Sequence, residues 1–368
     1  MSALRSHLES AIWDAVEHVE IASTPPGWRA APVDPSAFDR AARLALGFPD
    51  IGLLPTLLLR ASSLDVLADP TGATRIWLAN EGGQRTGSFK VRGALCALDV
   101  ARNRSCTHVV AASAGNHGAG VAFAAAALGL HATIVVPASA PRTKLDKMRS
   151  SAVTLVPVQG GYDVAEQRAK QIAAATSSPF VSPYDDDDVI AGNGGSLAAE
   201  IVRTLGSVPS RVIAPMGGGG LAIGLAGGLA RSVQGPGEAQ RRVWVVQSVA
   251  SPAFAKSIVT GEVVETLEAS EPTLAEGLEG GISCRAAARA ARAVLGVSVV
   301  SEASIARSMV CLHRQFGLRI EGSGAAAAVP ALAGLPAGLR GGDVVIVLTG
   351  GNVDDAVFTQ VVGSSRRC

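Results

Sequence analysis

The stretch Thr86-Gly87-Ser88-Phe89-Lys90-Val91-Arg92-Gly93-Ala94 decides how the rest of this chain is read. Of 32 basic residues only five are lysine: Lys90, Lys144, Lys147, Lys170 and Lys256. Arginine would serve any surface role, so a lysine kept among small residues and one aromatic points to a need for an amine. A guanidinium stays charged and forms no imine, whereas a lysine of lowered pKa can attack a carbonyl. The competing reading is a helix-start lysine whose head reaches solvent.

Two glycine-rich segments shift that balance. Ser113-Ala114-Gly115-Asn116-His117-Gly118-Ala119-Gly120 follows the apolar run Val109 to Ala112 and precedes an Ala-rich helical stretch. Gly217-Gly218-Gly219-Gly220-Leu221 follows Val212 to Met216 and opens a second Ala/Gly/Leu helix. Glycines at a strand-to-helix turn let free N–H groups converge on an anion, and the helix dipole adds to the field. An ordinary tight turn would also use glycine, but consecutive glycines cost backbone entropy. Neither segment matches the dinucleotide fingerprint or the P-loop. Two anion cradles and a separate amine fit a phosphate-bearing aldehyde cofactor and a substrate that carries a carboxylate.

The length of 368 residues allows two ordinary domains or one large one. The net charge of +1, with no basic cluster beyond Arg241-Arg242 and Arg366-Arg367, leaves nucleic-acid binding without an electrostatic footprint. Arg5, His7, Glu9, Asp14 and Glu17 lie at helical spacing near the amino terminus, which argues against a signal peptide. Gly118 to Ala140 is weakly polar, but Gly129 and His131 split it into a helix and the strand Ala132 to Val136, so no membrane span is expected. Cys96, Cys106, Cys284, Cys311 and Cys368 show neither C-x-x-C spacing nor a zinc pattern, so reduced, mostly buried thiols in a cytoplasmic protein are expected.

After Leu54-Pro55-Thr56, apolar runs alternate with Ala-rich segments. Strands are predicted at Ile76–Leu78, His108–Ala111, Thr133–Val136, Val153–Val156, Val212–Ala214, Val243–Val246 and Val344–Leu348, with helices between them. The alternation predicts an α/β fold with mostly parallel sheets covered by helices on both faces. The glycine motifs then fall at the carboxyl ends of strands, where open α/β sheets bind ligands. Ser177-Ser178-Pro179 and Gly235 to Glu238 read as surface turns, and Asp185 to Asp188 as a solvated acidic loop.

The chain resembles the fold-type-II pyridoxal-phosphate enzymes, and among them the serine/threonine dehydratase and serine racemase branch. The likeness runs from about Leu54 to Val362. It is carried by Asn80-Glu81 through Lys90, Ser113 to His117, Val189-Ile190-Ala191-Gly192, Gly217 to Leu221, Glu321-Gly322-Ser323-Gly324-Ala325 and Leu348-Thr349-Gly350-Gly351-Asn352, in the family's order.

The resemblance implies a two-domain enzyme with pyridoxal 5'-phosphate as cofactor. Residues 1–104 and 183–368 would form the large domain, with 1–50 an amino-terminal extension, and 105–182 a small inserted one. The extension would pack at a subunit interface or cover the site. A homodimer or homotetramer is implied, and an amino acid as substrate. Lys90 would hold the cofactor covalently and, once released by substrate, remove the Cα proton. Phe89, Asn116, Gly217, Gly218, Gly219, Gly220, Leu221 and Thr349 would bind the cofactor, with Asn116 on the ring hydroxyl and Thr349 at the ring nitrogen. Ser113, Gly115, Asn116 and His117 would frame the substrate carboxylate, and Ala114 and Glu321 would line the site.

The same comparison bears on the reaction. A hydroxyl at Thr349 supplies no negative charge to the ring nitrogen, which favours loss of a β-leaving group. The reading is therefore β-elimination of water and ammonia from a β-hydroxy amino acid. Serine racemases carry a second hydroxyl where Ala114 stands, so racemisation is the weaker alternative. His117 stands where the cysteine-synthase branch has threonine, which argues against β-replacement. Loss of chemistry in a cofactor-binding relative is the third alternative, and retention of Lys90, Asn116 and Thr349 speaks against it. Asn193 and Gly195 replace the usual Gln and Thr after Ala191-Gly192, leaving the substrate open. Gln247-Ser248 replaces the Glu-Pro of metal-dependent relatives, so no divalent-cation site is expected. The effector-binding extension of biosynthetic relatives is not found after Val362, so no response to isoleucine is expected.

Overall fold

The computed structural model describes residues 17–47, 51–233 and 241–364. The polar run up to Asp14, the turn at Gly235 to Glu238, Arg366-Arg367 and Cys368 lie outside the described residues. The strands are β1 (Glu17–Glu20), β2 (Leu57–Arg60), β3 (Thr74–Asn80), β4 (His108–Ala112), β5 (His131–Pro137), β6 (Val153–Val158), β7 (Arg211–Pro215), β8 (Val243–Ser248), β9 (Val294–Val300) and β10 (Gly342–Leu348). The longer helices are α1 (Pro35–Gly47), α2 (Lys90–Asn103), α3 (Asn116–Leu128), α4 (Tyr162–Ala175), α5 (Ser196–Leu205), α6 (Gly220–Ser232), α7 (Ala253–Thr260), α8 (Cys284–Ala293), α9 (Glu302–Phe316) and α10 (Asp355–Ser364).

A seven-stranded sheet has the order β1-β9-β8-β7-β10-β3-β2, and a separate three-stranded sheet the order β4-β5-β6. The smaller sheet is parallel throughout. In the larger one only the edge strands β1 and β2 run antiparallel to their neighbours. The run Val344 to Leu348 is fully buried and makes β10 a central strand, paired in parallel with β3 on one side and β7 on the other. Each strand predicted from the sequence is present, and the fold is the expected mixture of mostly parallel sheets and helices. The edges and β9 complete it. The alanines of α8 run into β9 without a turn residue, so the two signals merge in the sequence.

Gly118 to Ala140 divides as expected. α3 ends where Gly129 adopts φ 70°, and β5 begins two residues later. α3 is apolar nearly all round and is buried accordingly. Among the described residues no helix is long and apolar enough to cross a membrane. One apolar cluster joins the two sheets through α2 and α3, taking in Leu95, Val121, Ile134, Ala214 and Val345.

Several helices approach one another closely. A helix beginning at Asp187 continues through a π-type stretch, Ala191–Gly195, into α5. A Cβ on Gly224 of α6 would lie 2.1 Å from the Ile190 carbonyl, and one on Gly192 would lie 2.7 Å from Gly93 Cα in α2. Asn193, inside the π-type stretch, accepts from the Gly93 N–H at 2.9 Å.

Two expectations change. Asp185 to Asp188 is not a solvated loop: Asp186 caps the following helix by accepting from the N–H groups of Asp188 and Val189. Asp187 pairs with Arg285 at 2.9 Å and Arg289 at 2.8 Å, and Asp188 with Arg40 at 2.7 Å. The run reads as solvated in sequence because its arginines come from distant segments. The thiols are mixed: Cys96 and Cys311 are buried, Cys106 is half-buried and Cys284 is exposed.

The described part of the amino-terminal extension packs on its own chain. β1 extends the sheet beside β9. Arg289 and Arg292 of α8 donate to the carbonyls of Trp28, Ala30, Ala31 and Pro32. Phe38 of α1 fills the space that a side chain at Gly227 would take. This is the far half of α6, away from its glycine turn.

Candidate active site

Three adjacent strands, β3, β10 and β7, release their chain at the same edge. β3 leads to Lys90, β7 to Gly217–Gly220 and β10 to Thr349–Asn352, while β4 of the smaller sheet leads to Ser113–Asn116. β10 enters between strands formed much earlier in the chain, so the order reverses there. That crevice is where open α/β sheets bind ligands.

Lys90 opens α2. The loop before it is fastened to the end of β10, with Phe89 N–H donating to the Thr349 carbonyl at 3.0 Å and Gly351 N–H to Gly87 at 2.9 Å. Lys90 Nζ donates to the Pro183 carbonyl at 3.0 Å and lies 5.2 Å from the centre of the Phe89 ring. Loss of hydration lowers its pKa to about 8, against the pull of the Glu321 carboxylate toward the charged form. In the ligand-free protein, Lys90 is expected to react with an added aldehyde at a rate that climbs with pH and levels off above about 8. Borohydride trapping and peptide mapping across pH measure this. A plateau only near the ordinary lysine value of 10.5 would mark a solvated side chain.

Pro183 leads into Tyr184, which lies against the glycine turn. A Cβ on Gly218 would lie 2.7 Å from the Tyr184 ring, one on Gly217 3.0 Å from the Gly277 carbonyl, and Gly219 adopts φ +89°. Side chains are therefore excluded from the turn, and the first N–H groups of α6 have no acceptor within the helix. Tyr184 is held by its hydroxyl, which donates to Glu166 at 3.1 Å. Leu221 points into the apolar core, so only its backbone is available to a ligand.

Asn116 begins α3, and Gly115 N–H donates to Ser113 Oγ at 3.1 Å. Asn116 Nδ2 donates to the two oxygens of Glu321 at 2.9 and 3.2 Å. Burial raises the Glu321 pKa, and the bond from Asn116 opposes that. The His117 imidazole is engaged with the chain itself. It is 3% exposed, and Nε2 lies 2.9 Å from the Val181 carbonyl, so Nε2 carries the proton and donates. Burial, and then the charge of Lys90, push its pKa down to about 3, so the ring is neutral. It can offer a substrate carboxylate its backbone N–H, at the start of α3. Ala114 is half-buried in the same turn. Thr349 is buried, and its hydroxyl lies above Gly324, where a Cβ would come within 3.2 Å of it.

Sequence reasoning did not find the ion cluster behind Lys90. Arg92 is fully buried and bonds to Glu81 at 2.7 Å and Glu200 at 3.0 Å. Thr56 Oγ1 lies 2.8 Å from Glu81 and 2.7 Å from Glu200, with one hydrogen to give, and the Thr56 N–H donates to Glu200 at 2.9 Å. Burial alone would lower the Arg92 pKa, but the two carboxylates, Glu81 first, raise it well above its ordinary value. Pro183, Tyr184, Asn352 and Lys147 were also given no role from sequence. For Lys147 a signal existed in the scarcity of lysine.

Gln247 is a buried amide that donates to the Met216 carbonyl at 3.1 Å and accepts from Ala255 N–H at 2.9 Å. Among the described residues no group of His, Cys, Asp or Glu is arranged to hold a metal ion. A cavity of about 380 Å³ lies elsewhere, between the extension and α6, lined by Val33, Phe38, Ile223, Leu229 and arginines including Arg241. It contains no lysine or carboxylate and is not the candidate site.

The crevice fits a phosphate-bearing aromatic aldehyde on its own geometry. It has an amine of lowered pKa, a cradle that a Cβ would fill, and the buried Ser88 Oγ, which has no hydrogen-bond partner, two residues from Lys90. Comparison with known proteins agrees. A family profile described as "Pyridoxal-phosphate dependent enzyme" matches residues 51–350. The L-threonine ammonia-lyase of Thermotoga maritima is 34% identical over 302 residues, covering 81% of this chain and 72% of that protein. The catabolic L-threonine dehydratase of Escherichia coli K12 is 34% identical over 293 residues, 78% of this chain and 86% of that one. Among solved structures, a threonine deaminase from T.th. superposes with a TM-score of 0.73 at 28% identity, covering 87% of this chain and 99% of that one. A lysine at the mouth of α2, a glycine cradle at the end of β7 and these relatives lead to one conclusion: the chain belongs to the pyridoxal-phosphate dependent enzymes.

Proposed function

We infer that this enzyme deaminates a β-hydroxy amino acid, threonine or serine, to a 2-oxo acid and ammonia. The observation that carries the reading is Lys90, of lowered pKa, held by Pro183 beside the Tyr184-backed glycine turn. The relatives named above, threonine ammonia-lyases and dehydratases, support the substrate class.

Bound pyridoxal phosphate supplies an electron sink that acidifies the Cα–H bond of an amino acid. Gly217–Gly220 and the start of α6 hold its phosphate through N–H groups. Lys90 would hold it covalently and, once free as the neutral amine, would take the Cα proton. Ser113, Gly115 and the backbone of Asn116 and His117 bind the substrate carboxylate at the start of α3. Thr349 would offer its hydroxyl to the ring nitrogen, and Asn116 its amide to the ring hydroxyl. Ala114 provides no acid–base group on the opposite face, which disfavours racemisation.

Residues 105–182, which contain β4, β5 and β6, form the smaller domain in this reading, with 1–104 and 183–368 the larger. The exposed apolar side chains Leu57, Val66 and Val259 suit a homodimer or homotetramer, and the Cys96 and Cys106 thiols suit the cytoplasm. The test is to load the protein with pyridoxal phosphate and assay 2-oxo acid from serine, threonine, phenylserine and hydroxyaspartate. Release from serine or threonine is expected. Failure with all four, alongside activity on O-acetylserine with sulfide, would overturn the reading in favour of β-replacement.

A further inference from the structure

Among the five lysines that the sequence sets apart, Lys90 has a role in the reading above and Lys147 has none. Lys147 follows the short helix Arg142–Asp146, in the connection from β5 to β6. Its Nζ donates to Asn352 Oδ1 at 2.9 Å, so a residue of the smaller sheet's connection meets the loop after β10. Asn352 Nδ2 in turn donates to the Thr86 carbonyl and to Asn116 Oδ1, each at 2.7 Å. Asn116 Nδ2 completes the chain on Glu321 at 2.9 and 3.2 Å.

Lys147 and the Thr86 carbonyl set the direction of the bonds at Asn352, and Asn352 that of its bond to Asn116. The Lys147 ammonium only donates, the Thr86 carbonyl only accepts, and each amide has one donor end and one acceptor end. A flip of either asparagine would set donor against donor or acceptor against acceptor. The backbone is also shaped to admit Asn352. Gly87 adopts φ +74°, and a Cβ there would lie 2.4 Å from Asn352 Oδ1. Any other residue at position 87 would push the amide aside.

We propose that Lys147 is a positioning residue: by holding Asn352 Oδ1 it fixes, through Asn352, which end of the Asn116 amide faces the cofactor. The assignment rests on the reading of Asn116 as a cofactor contact. Lys144 supplies the contrast. It pairs with Glu276 and so ties the same β5–β6 connection to another segment of the larger sheet's part of the chain, outside the amide chain. A simple strut between the two parts would be weakened as much by losing Lys144 as by losing Lys147.

The test is titration of pyridoxal phosphate into the full-length protein stripped of cofactor, with binding followed by absorbance. Lys147→Met, Lys144→Met, Asn352→Ala and the double variant Lys147→Met/Asn352→Ala are compared with the parent. Lys147→Met is expected to weaken binding about five- to tenfold, and Lys144→Met to leave it unchanged. Adding Lys147→Met to Asn352→Ala is expected to weaken binding no further, because the path through Asn352 is already cut. Lys147 is exposed, so its variant should fold, and thermal melting confirms that each variant is intact. Equal losses from the two lysine variants, or additive losses in the double variant, would overturn the assignment. So would a Lys147→Met protein that binds as tightly as the parent. A parent protein that does not bind pyridoxal phosphate would instead bring down the proposed function and this inference with it.

Discussion

Lys90→Ala is expected to abolish covalent attachment of pyridoxal phosphate and to lower turnover by about 10³-fold or more. Two losses combine in one substitution, because in the proposed function the same amine anchors the cofactor and takes the Cα proton. Neighbouring lysines are poor substitutes. Lys144 is engaged with Glu276 and Lys147 with Asn352, and neither begins a helix at the carboxyl end of the sheet. Borohydride reduction followed by peptide mass analysis reads the attachment, and a 2-oxo acid assay reads turnover. A reducible adduct on another lysine, with turnover retained, would remove Lys90 from the centre of the reaction.

Arg92→Met is expected to destabilise the fold by about 3–5 kcal/mol, the usual cost of stranding a buried charge. Arg92 is two residues beyond Lys90, and its guanidinium meets Glu81 and Glu200 where neither it nor Glu81 touches water. Removal leaves two buried carboxylates with Thr56 as their shared donor. The pH dependence should also change sign. Burial raises the Glu200 pKa, but Arg92, with the donors from Thr56, more than offsets this and holds it below the ordinary 4.5. A depressed carboxylate pKa contributes stability above the unfolded value and loses it as pH falls through the folded value. Without Arg92 burial dominates and the pKa rises, so acidification from about pH 7 to about pH 5 should stabilise the variant relative to its parent. Urea unfolding at both pH values measures the effect. A loss below about 1 kcal/mol, with an unchanged pH slope, would show that the cluster behaves as a surface pair does.

The extended runs, the glycine turns and Lys90 were legible in sequence because each is specified within about a dozen neighbouring residues. β-branched runs mark buried parallel strands, as in β10, and a lysine kept against an arginine-rich background marks a need for an amine. The break at Gly129, which turned an apolar stretch into a helix and a strand, was equally local. β9 was missed because no turn residue separates it from α8, so the local signal itself is blurred.

What only the tertiary structure decided is which of these groups meet, and which way they face. Asn116 bonds to Glu321 across 205 positions and to Asn352 across 236. Those contacts exist because β10, formed late in the chain, enters between β3 and β7 and brings its loop beside Lys90. No periodicity or turn chemistry encodes such an insertion. The same holds for His117, whose place in a glycine turn was plain but whose ring turns toward Val181, a carbonyl supplied from beyond α4. It holds for the acidic run at Asp185 to Asp188, which reads as solvated until Arg40, Arg285 and Arg289 arrive from both ends of the sequence. Local chemistry determined the parts of this enzyme, and long-range strand order determined their partners, because a hydrogen bond depends on distance in space and not along the chain.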